Sequence, residues 1–162
     1  MNDKLSFKGT VQNANGTDMP ILETLGMTQV ILQPGELLTP HIHPNANELA
    51  YFVSGTAEVA VYSVGQGDPD ATPFQVTAGD VVFFPQGAVH YVHNIGKTEV
   101  DFILSFDNPN FDLLFVTDIF KQFDTAIFQQ AFGVNAKIAQ AMTHGGGIVP
   151  APVKRRKKRV KK

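Results

Sequence analysis

Cysteine is absent from the 162 residues, which removes both disulfides and thiolate metal sites and implies no oxidising compartment. No apolar stretch approaches the roughly 20 residues that a membrane helix needs. The start, Met1-Asn2-Asp3-Lys4-Leu5, has neither the basic opening nor the apolar centre of a signal peptide. A soluble, intracellular and cytoplasmic protein without a membrane span is therefore the expectation. Turn formers and phenylalanine are plentiful: 14 Gly, 10 Pro and 13 Phe stand among short apolar runs, the composition of an all-β domain with many turns. The length suits one domain with a real core.

Residues 1–20 are polar and carry Asn-Gly and Asp-Met-Pro turn signals, so they are expected to form an N-terminal arm with at most one short strand. Apolar runs at 27–32, 37–43, 49–53, 57–62, 74–77, 81–84, 90–93 and 100–106 predict the strands of a body that starts near Ile21. The stretch Gly65-Gln66-Gly67-Asp68-Pro69-Asp70 reads as an exposed loop. Beyond Asp107 the period changes. Asp124 can cap a helix carrying Ile127, Phe128 and Ala131 that Gly133 stops, and Asn135 can cap a second with Ile138 and Met142. The domain with these short helices is expected over 21–143, followed by a disordered Gly/Pro linker and basic tail over 144–162.

The net charge of −2 hides an asymmetry, because the tail from Lys154 holds 8 of the 13 basic residues. The rest has 5 basic against 15 acidic residues, a net charge of −10. Such a tail can touch nucleic acid or another anionic surface, or act as a nuclear address if the source is eukaryotic. The plain alternative is a solvated tail that screens the acidic body, and no aromatic or groove-reading element accompanies the charges.

Chemistry concentrates in two stretches. In the first, His41 and His43 stand two apart, so a strand would send both imidazoles to one face. The turn formers Pro44-Asn45-Ala46-Asn47 follow, and Glu48 is expected to return on the neighbouring antiparallel strand beside them. In the second, Gly79, Pro85 and Gly87 frame an apolar strand that leads to His90. Any single histidine is more often a satisfied polar residue than a ligand. The combination is what points to a metal: three imidazoles and one carboxylate suit a divalent first-row transition ion and leave an octahedral ion about two open positions. Alternation carries Ala50 and Phe52 inward after Glu48, and Val92 and Asn94 after His90, so the site is expected in an apolar mouth, with one of Phe83 and Phe84 inward and the other out. His93, at odd spacing from His90, is expected to face the other way, and His144 falls in the linker.

The patterns Gly35-x5-His41-x-His43-x4-Glu48-x6-Gly55 and Gly79-x5-Pro85-x-Gly87-x2-His90-x3-Asn94 match the two signature motifs of the cupin superfamily position for position. The resemblance implies a double-stranded β-helix, the jelly-roll or cupin barrel, with the ion held by His41, His43, Glu48 and His90. The words His41-Ile42-His43-Pro44, Gly96-Lys97-Thr98-Glu99 and Leu104-Ser105-Phe106-Asp107 resemble single-domain germins and spherulins and one half of the two-domain oxalate decarboxylases. That likeness makes manganese the first choice of ion, with iron, nickel, copper or zinc as alternatives, and a small carboxylate the first substrate class. It implies a homodimer or larger homo-oligomer built through the C-terminal helices, unless these fold back on their own barrel.

Two departures from the resembled enzymes bear on substrate. Where oxalate decarboxylases carry a substrate-pairing arginine and germin-type oxidases an asparagine, three residues before the first ligand, this chain has Leu38. The segment after Phe106 is shorter than their lid and lacks glutamate, leaving Asp107 and Asp112 as its acids. The sequence thus leaves three readings: a manganese- or iron-dependent enzyme oxidising or decarboxylating a small acid, a non-catalytic metal-binding storage or stress protein, and a sensor module tethered by its tail. No catalytic residue is assigned.

Overall fold

The computed structural model describes residues 4–6, 10–62, 72–143 and 145–152. Their strands are β1 (Lys4–Ser6), β2 (Thr10–Ala14), β3 (Gly26–Leu32), β4 (Leu37–Ile42), β5 (Glu48–Ser54), β6 (Thr56–Tyr62), β7 (Phe74–Thr77), β8 (Val81–Phe84), β9 (Val89–Asn94), β10 (Val100–Phe106), β11 (Leu114–Phe115) and β12 (Ile148–Val149). Between β11 and β12 lie the helices α1 (Val116–Phe120), α2 (Thr125–Phe132) and α3 (Ala136–Met142). The strands form two antiparallel sheets, one ordered β1-β2-β3-β10-β5-β8 and the other β11-β4-β9-β6-β7, with β12 added on β4. This is the expected jelly roll.

Alternation decides which side of each strand faces the core. Along β10, Val100, Phe102, Leu104 and Phe106 are buried, and along β5 Ala50 and Phe52 follow Glu48 inward. Burying each phenylalanine stabilises the fold by roughly 1.5–3 kcal/mol, and the Phe52 and Phe102 rings stack with centroids 5.3 Å apart. From β3 to β11 the chain changes sheet at every connection except β6–β7, and the corner between β5 and β6 is a single residue. Gly55 makes it with φ +87°, and a Cβ there would run into the Glu99 carbonyl and Val100.

Three expectations need correction. The first 20 residues are not an arm with at most one strand, because β1 and β2 both extend the sheet, Val11 pairing with Val30 and Asn13 with Thr28. Backbone groups on the edge of β3 make that pairing, and side-chain pattern carries little sign of it. The linker is not structureless throughout 144–162: Ile148 pairs with Leu38 and is buried, and Gly147 exchanges hydrogen bonds with Thr39 through its N–H and its carbonyl, each at 2.9 Å. Glycine is needed there, since a Cβ on Gly146 would enter the Phe115 ring. Glu48 reaches its histidines, but not from a neighbouring strand. β4 and β5 belong to opposite sheets, so residues 44–47 carry the chain across the sandwich. The loop 63–71, His144 and the basic tail lie outside the described residues.

The two expected helices form as capped. Asp124 Oδ1 accepts from the Ala126 N–H at 2.7 Å and Gly133 closes α2 with φ 63°, while Asn135 Oδ1 accepts from the Ile138 N–H at 3.1 Å. Phe128 is buried by the rings of Phe120, Phe123 and Phe132. Among the described residues no helix is long and apolar enough to cross a membrane.

Asn94 ties β9 to its surroundings from a fully buried position: its amide donates to the Leu32 and Thr98 carbonyls at 2.8 and 2.9 Å, and its oxygen accepts from Gly96 at 2.9 Å. Asn94→Ala orphans all three groups, and urea denaturation should show a loss of about 2–4 kcal/mol.

Candidate metal centre

Leu38 and His41 are three apart in β4, yet both face inward. A bulge explains this. Leu38 pairs with Val92 and His41 with His90, so three steps on β4 match two on β9, and the extra residue falls at Thr39-Pro40. Pro40 has no N–H to give a ladder, which suits it to such a break. The register thus sets His41 directly opposite His90, with ring centroids 4.2 Å apart. His43 lies one residue past β4, packed on Phe106 at 4.8 Å. Glu48 enters from the other sheet as the first residue of β5, between its cross-strand partners Phe84 and Phe106.

All four residues are at most 4% exposed, and one ligand atom from each lies within 4.8 Å of the others. Each imidazole is oriented by a backbone carbonyl: His41 Nδ1 donates to Thr39 at 2.8 Å, His43 Nδ1 to Asp112 at 2.7 Å and His90 Nδ1 to Ala88 at 2.9 Å. A carbonyl only accepts, so Nδ1 carries the proton and a neutral ring presents a bare lone pair at Nε2. His43 Nε2 and His90 Nε2 come within 2.9 and 3.3 Å of Glu48 Oε2, yet all three atoms are buried without a hydrogen-bond partner among the described residues. Acceptors facing acceptors in a dry site are costly unless a cation lies among them. The residues therefore fit a divalent metal ion.

Burial presses the His41 pKa down from 6.5 to about 3, with His90 adding to it, so this ring is neutral. Burial works in the opposite direction on Glu48, but His43 and His90 outweigh it and hold the carboxyl at about 2. The two rings can hold the anion in this way only by donating from Nε2, so in the Nδ1-protonated tautomer the counter-charge to Glu48 falls to a cation among the ligands.

The predicted inward course is present, although none of the residues that carry it lines the cavity. Ala50, Phe52, Phe84, Val92 and Asn94 are buried, whereas Phe83 is exposed. His93 pairs with Glu58 and lines a shallow groove with Tyr91, away from the four ligands. A cavity of about 360 Å³ opens beside His41 and His43, walled by Leu38, Leu104, Phe111, Phe115 and Ile148, with Asn13 and Thr28 at one side. Sequence reasoning missed most of these walls, and only the Ile148-Val149 pair between glycines and prolines offered a signal. The two candidate acids part company: Asp107 is held by the Asn47 N–H and amide at 2.8 and 2.7 Å, whereas Asp112 lines the cavity.

A family model described as Cupin matches residues 3–140. The chain is similar to the oxalate decarboxylase OxdC of Bacillus subtilis, 33% identical over 103 residues that make up 64% of this chain and 26% of that protein. It is also similar to the oxalate oxidase GF-2.8 of Triticum aestivum, 34% identical over 125 residues, 70% of this chain and 55% of that protein. It thus spans from about a quarter to just over half of these relatives. Among solved structures, Bacillus subtilis oxalate decarboxylase at pH 4.6 superposes with a TM-score of 0.85 at 24% identity, covering 93% of this chain and 39% of that one, a likeness of fold. The formate complex of Lactobacillus farciminis oxalate decarboxylase gives a TM-score of 0.77 at 28% identity over 83% of this chain and 39% of that one.

Two outcomes follow from the geometry. His41→Ala and His90→Ala should each abolish stoichiometric metal in elemental analysis of purified protein, and retention by both would refute the centre. Acid should destabilise the chelator-treated protein. His41 at about 3 folded against 6.5 unfolded contributes fully above pH 6.5 and progressively less toward pH 3, because the unfolded chain takes the proton first. Glu48 adds a loss in the same direction, from 4.5 toward about 2. Urea titrations should fall by on the order of 1 kcal/mol per pH unit below about pH 6.5, and a flat profile contradicts a neutral buried His41.

Proposed function

This chain belongs to the cupin family, and on that premise we propose that it is a metal-dependent enzyme that oxidises or decarboxylates a small carboxylate, with manganese as its ion. The observation that supports this reading is the convergence of three imidazoles and the Glu48 carboxylate, with His41 and His43 forming part of the wall of a cavity. A divalent ion bound there supplies open positions for a carboxylate together with Lewis-acid or one-electron chemistry.

The chain's own residues do the rest. The Thr39, Asp112 and Ala88 carbonyls fix the three rings, so that little reorganisation is needed when the ligands close. Glu48 contributes the anionic ligand, and Phe84 and Phe106 on either side of it keep water from the buried side of the centre. Asp112, the acidic residue among those lining the cavity, turns its carbonyl to His43 while its Oδ2 accepts from the Asn45 amide at 3.0 Å. The homodimer or larger oligomer expected from the resemblance draws support from Ile127, Phe132 and Ile138, apolar and exposed on α2 and α3.

A second reading, a non-catalytic germin- or spherulin-like storage or stress protein, is favoured by one observation. The place of the substrate-pairing residue is taken by Leu38, buried in the wall. Elemental analysis of the full chain, followed on the same sample by assays of small carboxylates for carbon dioxide, formate and hydrogen peroxide, separates them. Stoichiometric manganese with product release from at least one acid is expected. Bound metal with no product from any acid selects storage, and a chain without metal overturns both.

A further inference from the structure

We propose that the cavity beside the centre takes a monocarboxylic acid with an apolar body, aryl or branched alkyl, and a polar group at its far end, in place of a compact dianion such as oxalate. This rests on the reading of a carboxylate bound at the metal and specifies which carboxylate. Size comes first. A cavity of about 360 Å³ lies in the range of pockets that enclose ligands of many atoms, from roughly 300 Å³ upward. Oxalate, comparable to three or four waters at about 30 Å³ each, would leave most of it unfilled.

Charge points the same way. Among the described residues that line the cavity there is no lysine or arginine, and Asp112 is the one acidic side chain. A carboxylate at the metal has its counter-charge. A second carboxylate would lie against Leu38, Leu104, Phe111, Phe115 or Ile148, none of which can pair it. An apolar body loses nothing against those walls and gains from leaving water.

The far end is polar in one corner. Thr28 Oγ1 donates to Asn13 Oδ1 at 2.8 Å, so the Asn13 amide N–H groups are what this pair can offer a ligand. Register gives the span. Glu48 pairs with Phe106, Phe106 with Gly26, and Thr28 stands two residues along from Gly26. Two strand spacings and two residues place Thr28 roughly 12 Å from Glu48. An acid of that reach can hold the metal at one end and a hydroxyl or keto group on Asn13 at the other, which oxalate is too short to do. Of these walls, β2 supplies Asn13 and β12 supplies Ile148.

The test uses the metal-loaded full chain, so that the basic tail is present. Dissociation constants are measured by titration calorimetry for oxalate, acetate, butanoate, hexanoate and 3-phenylpropanoate, with metal content determined on the same sample. Affinity should rise by up to about fourfold per methylene, and 3-phenylpropanoate should bind at least tenfold tighter than oxalate. Leu38→Arg should reverse that order while keeping its metal, and Ile148→Ala should flatten the dependence on chain length. Oxalate binding tighter than every monocarboxylate, or affinity indifferent to chain length, overturns the proposal while leaving the metal reading intact. A chain without metal that still ranks the acids by apolar length fails the metal reading and sustains the pocket.

Discussion

Three hydrogen bonds from imidazole Nδ1 to backbone carbonyls are the constraint on which the rest depends. Each fixes a tautomer, and each tautomer turns a lone pair toward the point that the Glu48 carboxylate also faces. In a site with almost no access to water, such convergence is unfavourable without a cation and favourable with one. The carbonyls sit at a bulge (Thr39), at a turn before β9 (Ala88) and in the segment after β10 (Asp112). The backbone that closes the barrel mouth is therefore the same backbone that tunes the ligands.

The jelly roll makes this affordable by bringing sequence-distant turns to one end of the sandwich. β4 and β9 lie side by side and set His41 against His90, while the crossing at residues 44–47 delivers Glu48 from the opposite sheet. Aromatic packing backs the ligands: Phe84 stacks on His90 at 4.2 Å and Phe106 on Phe111 at 3.8 Å. Rings of this size lose rotamer freedom once and then hold both the core and the imidazoles in place. The Gly-rich strap at Gly145–Val149 seals one wall of the cavity.

Much of the site was legible because its signals are local. Two residues apart on a strand means one face, and glycine and proline mark where strands end, so His41, His43, Glu48, His90 and the inward course of Ala50, Phe52, Val92 and Asn94 could all be read from spacing. Alternation reports the face of a strand and not its sheet, which is why Glu48 was expected on the strand next to the histidines and instead meets them from the opposite sheet. The bulge at Pro40 escaped notice because a proline within an apolar run also reads as a strand end. β1, β2 and β12 pair chiefly through main-chain groups, which every residue has, and the carbonyls that orient the rings carry no side-chain signature. The cavity walls were hidden because they gather side chains from β2, β4, β10, β11, β12 and the segment between β10 and β11, a meeting that no local spacing reports.

The most direct test of the central claim is X-ray absorption at the metal edge of the purified protein. The account predicts a divalent first-row transition ion whose fine structure shows the multiple scattering of three imidazoles, with one carboxylate oxygen and further oxygen ligands completing the shell. An ion with at most one imidazole, or no ion at the edge of any such element, would contradict it.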